Sequence, residues 1–384
     1  MSETDLSQLS VDPAPVPSTT EPTTSSLSLE ERYNLILSIG EEVIQPEELH
    51  KLLEKKPLPI AYDGFEPSGR MHIAQGLMKA INVNKLVTAG VKVIYYVADY
   101  FAMLNNKCGG DLNKIQTIGK YMIEVWKSVG MKTEGMEFIW SSDFINANHE
   151  KYWKIVMDIA RLNSVTRIKR CCQIMGRNEE EELTAAQIMY PCMQAADIFA
   201  LGVDLCQLGL DQRKVNMLAR EYATERKLRK PVIVSNHMLM GLIQGQAKMS
   251  KSHPDSAIFM EDAASDVNGK IKRAFCPPGI VEDNPVLDYF KYIVFPAREV
   301  GLNGLTRDQG VTVSRSEQNG GNITYVNFED MARDYTAELL HPGDLKPALA
   351  AEINSLLEPV RQHFVDDAEA KKLLTKVKQI RITR

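Results

Sequence analysis

Apolar positions along this chain follow two spacings in turn, one near two residues and one near three and a half. Hydrophobic periodicity sets in at Leu29, and no internal repeat is visible. Pro59-Ile60-Ala61-Tyr62 reads as a short strand, and Gly64-Phe65-Glu66-Pro67-Ser68-Gly69 as the turn that follows it. Ile73, Leu77, Ile81 and Leu86 then recur at helical spacing up to Gly90. The β-branched and aromatic run Val91–Val97 predicts a buried strand. Strand, helix, strand is the unit of a parallel sheet, so the first two-thirds of the chain predict an α/β fold. After Phe275-Cys276-Pro277-Pro278 the segments become short and irregular, until Leu345, Leu349, Ile353, Leu356, Val360 and Phe364 restore helical spacing. A mostly helical second domain is expected there. Residues 1–27 are rich in Ser, Thr and Pro and nearly free of large apolar residues, which predicts a disordered tail.

Composition narrows the class. The chain has 384 residues, 25% charged and 44% apolar, which is ordinary for a globular protein of two or three domains. No apolar run approaches the roughly 18–20 residues that cross a bilayer, so no membrane span is expected. A net charge of −5 argues against a protein that coats nucleic acid or anionic lipid indiscriminately, and leaves room for a local basic surface. The six cysteines form no Cys-x-x-Cys pair and no zinc-like cluster with histidine, so reduced thiols and no resident metal are expected. Glu3, Asp5, Asp12 and Glu21 all precede the first basic residue, Arg32, which disfavours an organelle-targeting leader and predicts a cytoplasmic location.

Three constellations carry chemistry. Ser68, Gly69 and His72 sit where a strand gives way to a helix N-terminus, whose free N–H groups favour phosphate; the same turn is also a common structural feature. Lys248-Met249-Ser250-Lys251-Ser252, near Gly241 and Gly245, places two lysines and two hydroxyls on one loop, a set that can neutralise a leaving pyrophosphate. Tyr190, Gln194 and Asp197 share a face of an otherwise apolar helix that Pro191 is expected to open as a first-turn residue. A buried Gln and Asp are costly unless satisfied, by each other within a polar core or by a ligand.

Together these residues resemble the class I aminoacyl-tRNA synthetases, whose hallmark strings are His-Ile-Gly-His and Lys-Met-Ser-Lys-Ser. The second is present in full. The first reads His72-Ile73-Ala74-Gln75, with one methyl added where the family leaves room for adenine and a neutral donor in place of the second His. Tyr62 with residues 63–69, Tyr190-x-x-x-Gln194-x-x-Asp197, and Gly209-Leu210-Asp211-Gln212-Arg213-Lys214 resemble, more narrowly, the archaeal and eukaryotic tyrosyl-tRNA synthetases. That resemblance covers about residues 30–384.

The resemblance implies a doubly wound, Rossmann-like catalytic domain over 28–264 and a helical anticodon-binding domain over 265–384. It implies that Tyr62 and Asp197 hydrogen-bond the phenol of tyrosine, while Tyr190, Gln194 and Gln212 hold its amino and backbone end. ATP, with Mg²⁺ on its phosphates, is expected at Ser68, Gly69, His72, Gln75, Gly209, Asp211, Lys248, Met249, Ser250, Lys251 and Ser252. His72, Lys248 and Lys251 are the expected stabilisers of the transition state. Adenylate formation is expected to need positioning and charge stabilisation rather than covalent catalysis, and no general base is expected for the second step, the attack of the tRNA ribose hydroxyl on the adenylate. Arg213 and Lys214 are expected near the acceptor end of tRNA. Asp344, in His341-Pro342-Gly343-Asp344, is expected to read the first anticodon base, or alternatively to cap a helix starting at Leu345. Where the family carries an aromatic before Gly320-Gly321, this chain has Asn319, which offers no comparable stacking face. Two basic runs, Arg167-Ile168-Lys169-Arg170 and Lys371 to Arg384, read as solvated faces or as RNA contacts. A homodimer is implied by the family alone. A tryptophan-specific relative is the competing enzyme, although indole has no hydroxyl for Tyr62 and Asp197; a catalytically silent RNA-binding module is the competing non-enzyme.

Overall fold

The computed structural model describes residues 24–176, 182–249 and 254–380. Six strands form one sheet: β1 (Gly40–Ile44), β2 (Ile60–Phe65), β3 (Lys92–Val97), β4 (Met136–Trp140), β5 (Leu205–Gly209) and β6 (Val232–Asn236), in the order β1-β6-β5-β2-β3-β4. β2 to β6 are mutually parallel, as expected, and β1 departs from the expectation by pairing antiparallel with β6 at one edge. Its connection to β2 runs through the helix Pro46–Lys55.

β3 shows why the sheet is buried on both sides. Val93 and Tyr95 face one hydrophobic cluster, with the helices Ile73–Thr88 and Leu112–Ser128, while Ile94 and Tyr96 face another, with the helices His149–Leu162 and Ala185–Ala200. The Ile73–Thr88 helix buries Leu77, Ile81 and Leu86 completely or nearly so, and ends with Gly90 at φ 73, a left-handed terminus that glycine adopts without strain. Each such side chain contributes about 1.5–3 kcal/mol, so Leu77→Ala, with the cavity it leaves, costs about 2–5 kcal/mol. Of the expected tail, residues 1–23 lie outside the described residues; Ser25 donates its hydroxyl to the Thr88 carbonyl at 2.7 Å.

Two helix starts differ from expectation. The helix carrying Tyr190 begins at Ala185, where Thr184 and Gln187 form a capping box, so Pro191 lies inside the helix and not in its first turn. Pro191 cannot donate to Gln187, and the carbonyl it orphans accepts instead from the Cys172 thiol at 3.4 Å. Burial raises that thiol to about 11, which keeps its proton available as the donor. The helix near Asp344 starts at Pro342 and is capped by His341, whose Nδ1 accepts from the Gly343 N–H, so Asp344 is a first-turn acid and not the cap.

The C-terminal third is mostly helical, with one small addition, an antiparallel pair of β7 (Val311–Val313) and β8 (Ile323–Tyr325). Its 25-residue helix Pro342–Asp366 turns at Asp367 into Ala368–Gln379. Phe364 packs on Tyr121 with ring centroids 5.7 Å apart, and His363 meets Glu124 at 3.1 Å, so these helices close back onto the sheet's own helix Leu112–Ser128.

Candidate active site

The strand order reverses between β2 and β5, and a cavity of about 320 Å³ opens at their carboxyl ends. The Ile73–Thr88 helix points its N-terminus there, because the turn after β2 is short and Gly69 takes φ 126, which favours glycine. Arg70 locks that turn against the segment beyond the Lys248 loop by bonding Asp262 at 2.9 Å and stacking over Phe259. Ile73 N–H donates to the Ile258 carbonyl at 2.9 Å and Met260 N–H to that of Met71 at 2.9 Å, so the helix start and that segment are stitched together.

At one end of the cavity Tyr62, Tyr190, Gln194, Asp197 and Gln212 come together as expected. Asp197 is fully buried; its Oδ1 accepts from the hydroxyls of Tyr152 at 2.9 Å and Tyr96 at 3.2 Å, and its Oδ2 has no hydrogen-bond partner among the described residues. Burial drives its pKa well above the usual carboxylate range, against the two phenols that favour the anion. Burial and the charge of Asp197 likewise hold the Tyr62 phenol protonated. Such an end can bind a hydroxyl that both donates and accepts. The Gly64 position leaves room for it, since a methyl there would lie 2.9 Å from the Tyr62 hydroxyl.

The sequence reading missed Tyr96, Tyr152 and Glu66. Tyr96 stands on the Tyr62 face of β3, opposite Gly64 in register, and a hydroxyl-bearing ring at the end of a buried strand is the one signal that pointed to it. Tyr152 comes from a distant helix and left no such signal. Glu66 accepts from the Tyr190 hydroxyl at 2.6 Å and from Asn105 at 3.1 and 3.2 Å, so the phenol expected to face an amino group already holds a carboxylate suited to an ammonium. Gln194 donates to Gln212 at 3.1 Å and keeps its own buried Oε1 without a hydrogen bond among the described residues.

The other half is lined by Ser68, His72, Gln75, Gly209, Asp211, Lys248 and Met249. Gly69 is not on the wall and acts through the turn it shapes. A methyl on Gly209 would lie 2.7 Å from the Asp211 carboxylate, so glycine is what lets that acid stand beside the cavity. Lys248 Nζ lies 3.5 Å from Asp211, and Met249 N–H anchors the loop on the Leu239 carbonyl at 2.8 Å. Ser250, Lys251 and Ser252 lie outside the described residues. Among the described residues no group of three His, Cys, Asp or Glu side chains is placed to hold a metal, and no helix is long and apolar enough to cross a membrane.

The expected RNA contacts lie on the surface. Arg213 opens the helix Arg213–Glu225 and pairs with Glu42 at 2.8 Å, while Lys214 bonds Gln173. Arg167 is engaged by Glu221 at 2.9 Å, and Lys169 and Arg170 are exposed. Asn319 is exposed in a loop that Arg315 ties, through the carbonyls of Gly321 at 2.9 Å and Leu339 at 2.8 Å, to the segment leading into Asp344. Arg381 and Arg384 lie outside the described residues.

The model of the class I tRNA synthetases (W and Y) matches residues 54–358. Tyrosine–tRNA ligase 1, cytoplasmic, of Arabidopsis thaliana is 58% identical over 360 residues, covering 94% of this chain and 91% of that relative. Tyrosine–tRNA ligase 2, cytoplasmic, of the same plant is also 58% identical, and there the chain spans 46% of the relative's length. The tyrosyl-tRNA synthetase of Leishmania major, solved in complex with tyrosinol, superposes with a TM-score of 0.84 at 50% identity, covering 92% of this chain and 53% of that one.

Proposed function

This chain belongs to the tyrosine-specific class I tRNA synthetases of the archaeal and eukaryotic type, and from that premise we propose that it activates tyrosine with ATP and transfers the tyrosyl group to tRNA. The observation that carries the amino-acid assignment is the free, fully buried Oδ2 of Asp197 at the closed end of the cavity. Tyrosine's hydroxyl satisfies it; phenylalanine leaves it and Tyr62 without a partner, and a site built to hydrogen-bond a hydroxyl rejects the analogue that lacks it. Tyr190, with Glu66 behind it, and Gln194 and Gln212 receive the ammonium and carboxylate end.

The tyrosine carboxylate attacks the α-phosphorus in line; the new carboxyl oxygen–phosphorus bond forms as the bond to the β-phosphate oxygen breaks, and pyrophosphate leaves. His72, Lys248 and Lys251 offset the charge that builds up on the phosphates, with Ser68, Gln75, Met249, Ser250 and Ser252 around them and Gly209 and Asp211 beside the rest of the nucleotide. Mg²⁺ enters as part of the ATP complex and is counted with the substrate. A terminal ribose hydroxyl of tRNA then attacks the adenylate carbonyl and releases AMP. Arg213 and Lys214 meet the acceptor end, and Asp344 reads the anticodon, which divides the chain functionally into 28–264 and 265–384. Two copies work together, a reading supported by Trp153, Met157 and Val165, which leave apolar surface exposed on and beside one helix. The setting is the cytoplasm, as in the names of the plant relatives.

Pyrophosphate exchange into ATP, measured separately with tyrosine, phenylalanine and tryptophan, tests this. Exchange with tyrosine alone is expected. Exchange with tryptophan alone overturns the substrate assignment, and none with any of the three overturns the enzyme.

A further inference from the structure

One ion pair in the cavity wall, its carboxylate buried and its ammonium partly so, has no part in the chemistry above. Asp63 follows Tyr62 on β2 and therefore faces the opposite side of the sheet, where it is 1% exposed. Its Oδ2 accepts from Lys79 Nζ at 2.6 Å. Lys79 lies one turn beyond Gln75 on the Ile73–Thr88 helix, hence on the same face, and donates also to Asn236 Oδ1 at 3.2 Å. Gln207 donates to that same oxygen at 2.8 Å, and the Asn236 amide donates onward to the His237 carbonyl at 2.9 Å. Asp63, Lys79 and Asn236 all border the cavity, as does the stretch His237 to Leu239 that leaves β6 and receives the N–H of Met249.

Stability alone does not account for this arrangement. Taking two charges out of water costs about as much as their attraction returns, and an apolar pair of the same size would serve a core as well or better. What a charged pair supplies is direction: an ammonium held by a carboxylate has its remaining donors aimed. Here they are aimed at the side chain that fixes how the chain leaves β6. Gln75, one turn earlier, is neutral, so this helix presents its positive charge to the cavity's nucleotide half at Lys79.

We propose that Lys79 is a positioning residue for ATP: clamped by Asp63, it holds Asn236, and through it the His237–Leu239 wall, in the geometry that receives the nucleotide. The proposal rests on the reading that this half of the cavity takes ATP.

The test uses the full chain with Lys79→Arg, Lys79→Met and the double variant Asp63→Asn/Lys79→Met, in pyrophosphate exchange with ATP and tyrosine varied in turn, alongside thermal unfolding. Lys79→Met is expected to raise KM for ATP about tenfold or more while KM for tyrosine stays within about twofold, and Lys79→Arg to recover part of the loss. The double variant removes the stranded carboxylate, so its melting temperature returns toward that of the parent while KM for ATP stays high. If Lys79→Met fails to fold, the double variant decides alone. A double variant with the parent's KM for ATP, or one whose KM for tyrosine rises in parallel, overturns the positioning role and leaves the pair a packing element. Absence of exchange in the unsubstituted chain is a separate result, which overturns the function itself.

Discussion

Tyr152 donates its hydroxyl to Oδ1 of Asp197 at 2.9 Å and thereby fixes which oxygen of that carboxyl group is left to a ligand. Tyr152→Phe is therefore expected to lower kcat/KM for tyrosine by about tenfold to a hundredfold, the cost of leaving a fully buried acceptor short of one hydrogen bond, with KM for ATP nearly unchanged. Asp197→Ala removes the acceptor itself and should cost more. Equal kinetics in all three proteins would make Asp197 a core residue with no part in binding.

Gly64→Ala tests the same end by steric means. The added methyl would lie 2.9 Å from the Tyr62 hydroxyl and 3.3 Å from the ring carbon that bears it, so the phenol must move by several tenths of an ångström. KM for tyrosine should rise severalfold with little change in thermal stability. A drop in melting temperature without a change in KM would locate the strain in the strand and not in the site.

Lys248 is exposed at the cavity mouth, 3.5 Å from Asp211, and its proposed work is on the leaving group. Lys248→Ala should lower kcat by about a hundredfold and leave KM for tyrosine nearly intact, the pattern of an interaction made only in the transition state. A loss confined to tyrosine affinity contradicts that role.

His237 predicts a pH dependence of stability. Its ring stacks on Tyr292 at 3.9 Å, with Nε2 2.8 Å from Asp288 and Nδ1 3.2 Å from Glu41. Burial pulls its basicity down, but the hydrogen bonds and charges of Asp288 and Glu41 outweigh it and hold the imidazolium above its ordinary value of 6.5. The folded state thus binds the proton more tightly than the unfolded one. The contribution is complete below the unfolded value and is lost as pH rises through the folded one. The melting temperature should fall over that window, and His237→Gln should flatten the fall. An unchanged slope would remove His237 as its source.

The local order was legible: the Ile73–Thr88 helix from its spacing, β3 from its unbroken β-branched and aromatic run and β2 from the turn residues after it were each bounded to within a few residues. Short-range chemistry was legible too, since Ser68 to Gln75 and Tyr190 to Asp197 lie on single elements. What escaped is what tertiary register assembles. Nothing near Tyr152 marks it, and Glu66 stood inside a marked turn without a role of its own; they join the site because a distant helix and the turn after β2 meet the Tyr190 helix there. Pro191 misled for a related reason: the hydrogen bond it forfeits is replaced by Cys172, on a segment nineteen residues earlier, and no local rule anticipates that partner.

The closing of the last two helices onto Leu112–Ser128 bears on how the molecule comes apart. One apolar cluster runs without a break from Ile36 to Val377, through Tyr121 and Phe364. The sheet with its helices and the C-terminal helices therefore share a single melting unit, and calorimetry should register one endotherm, not two. Swapping the C-terminal portion for that of a relative would disturb the sheet and the cavity at its carboxyl end as surely as a substitution within them.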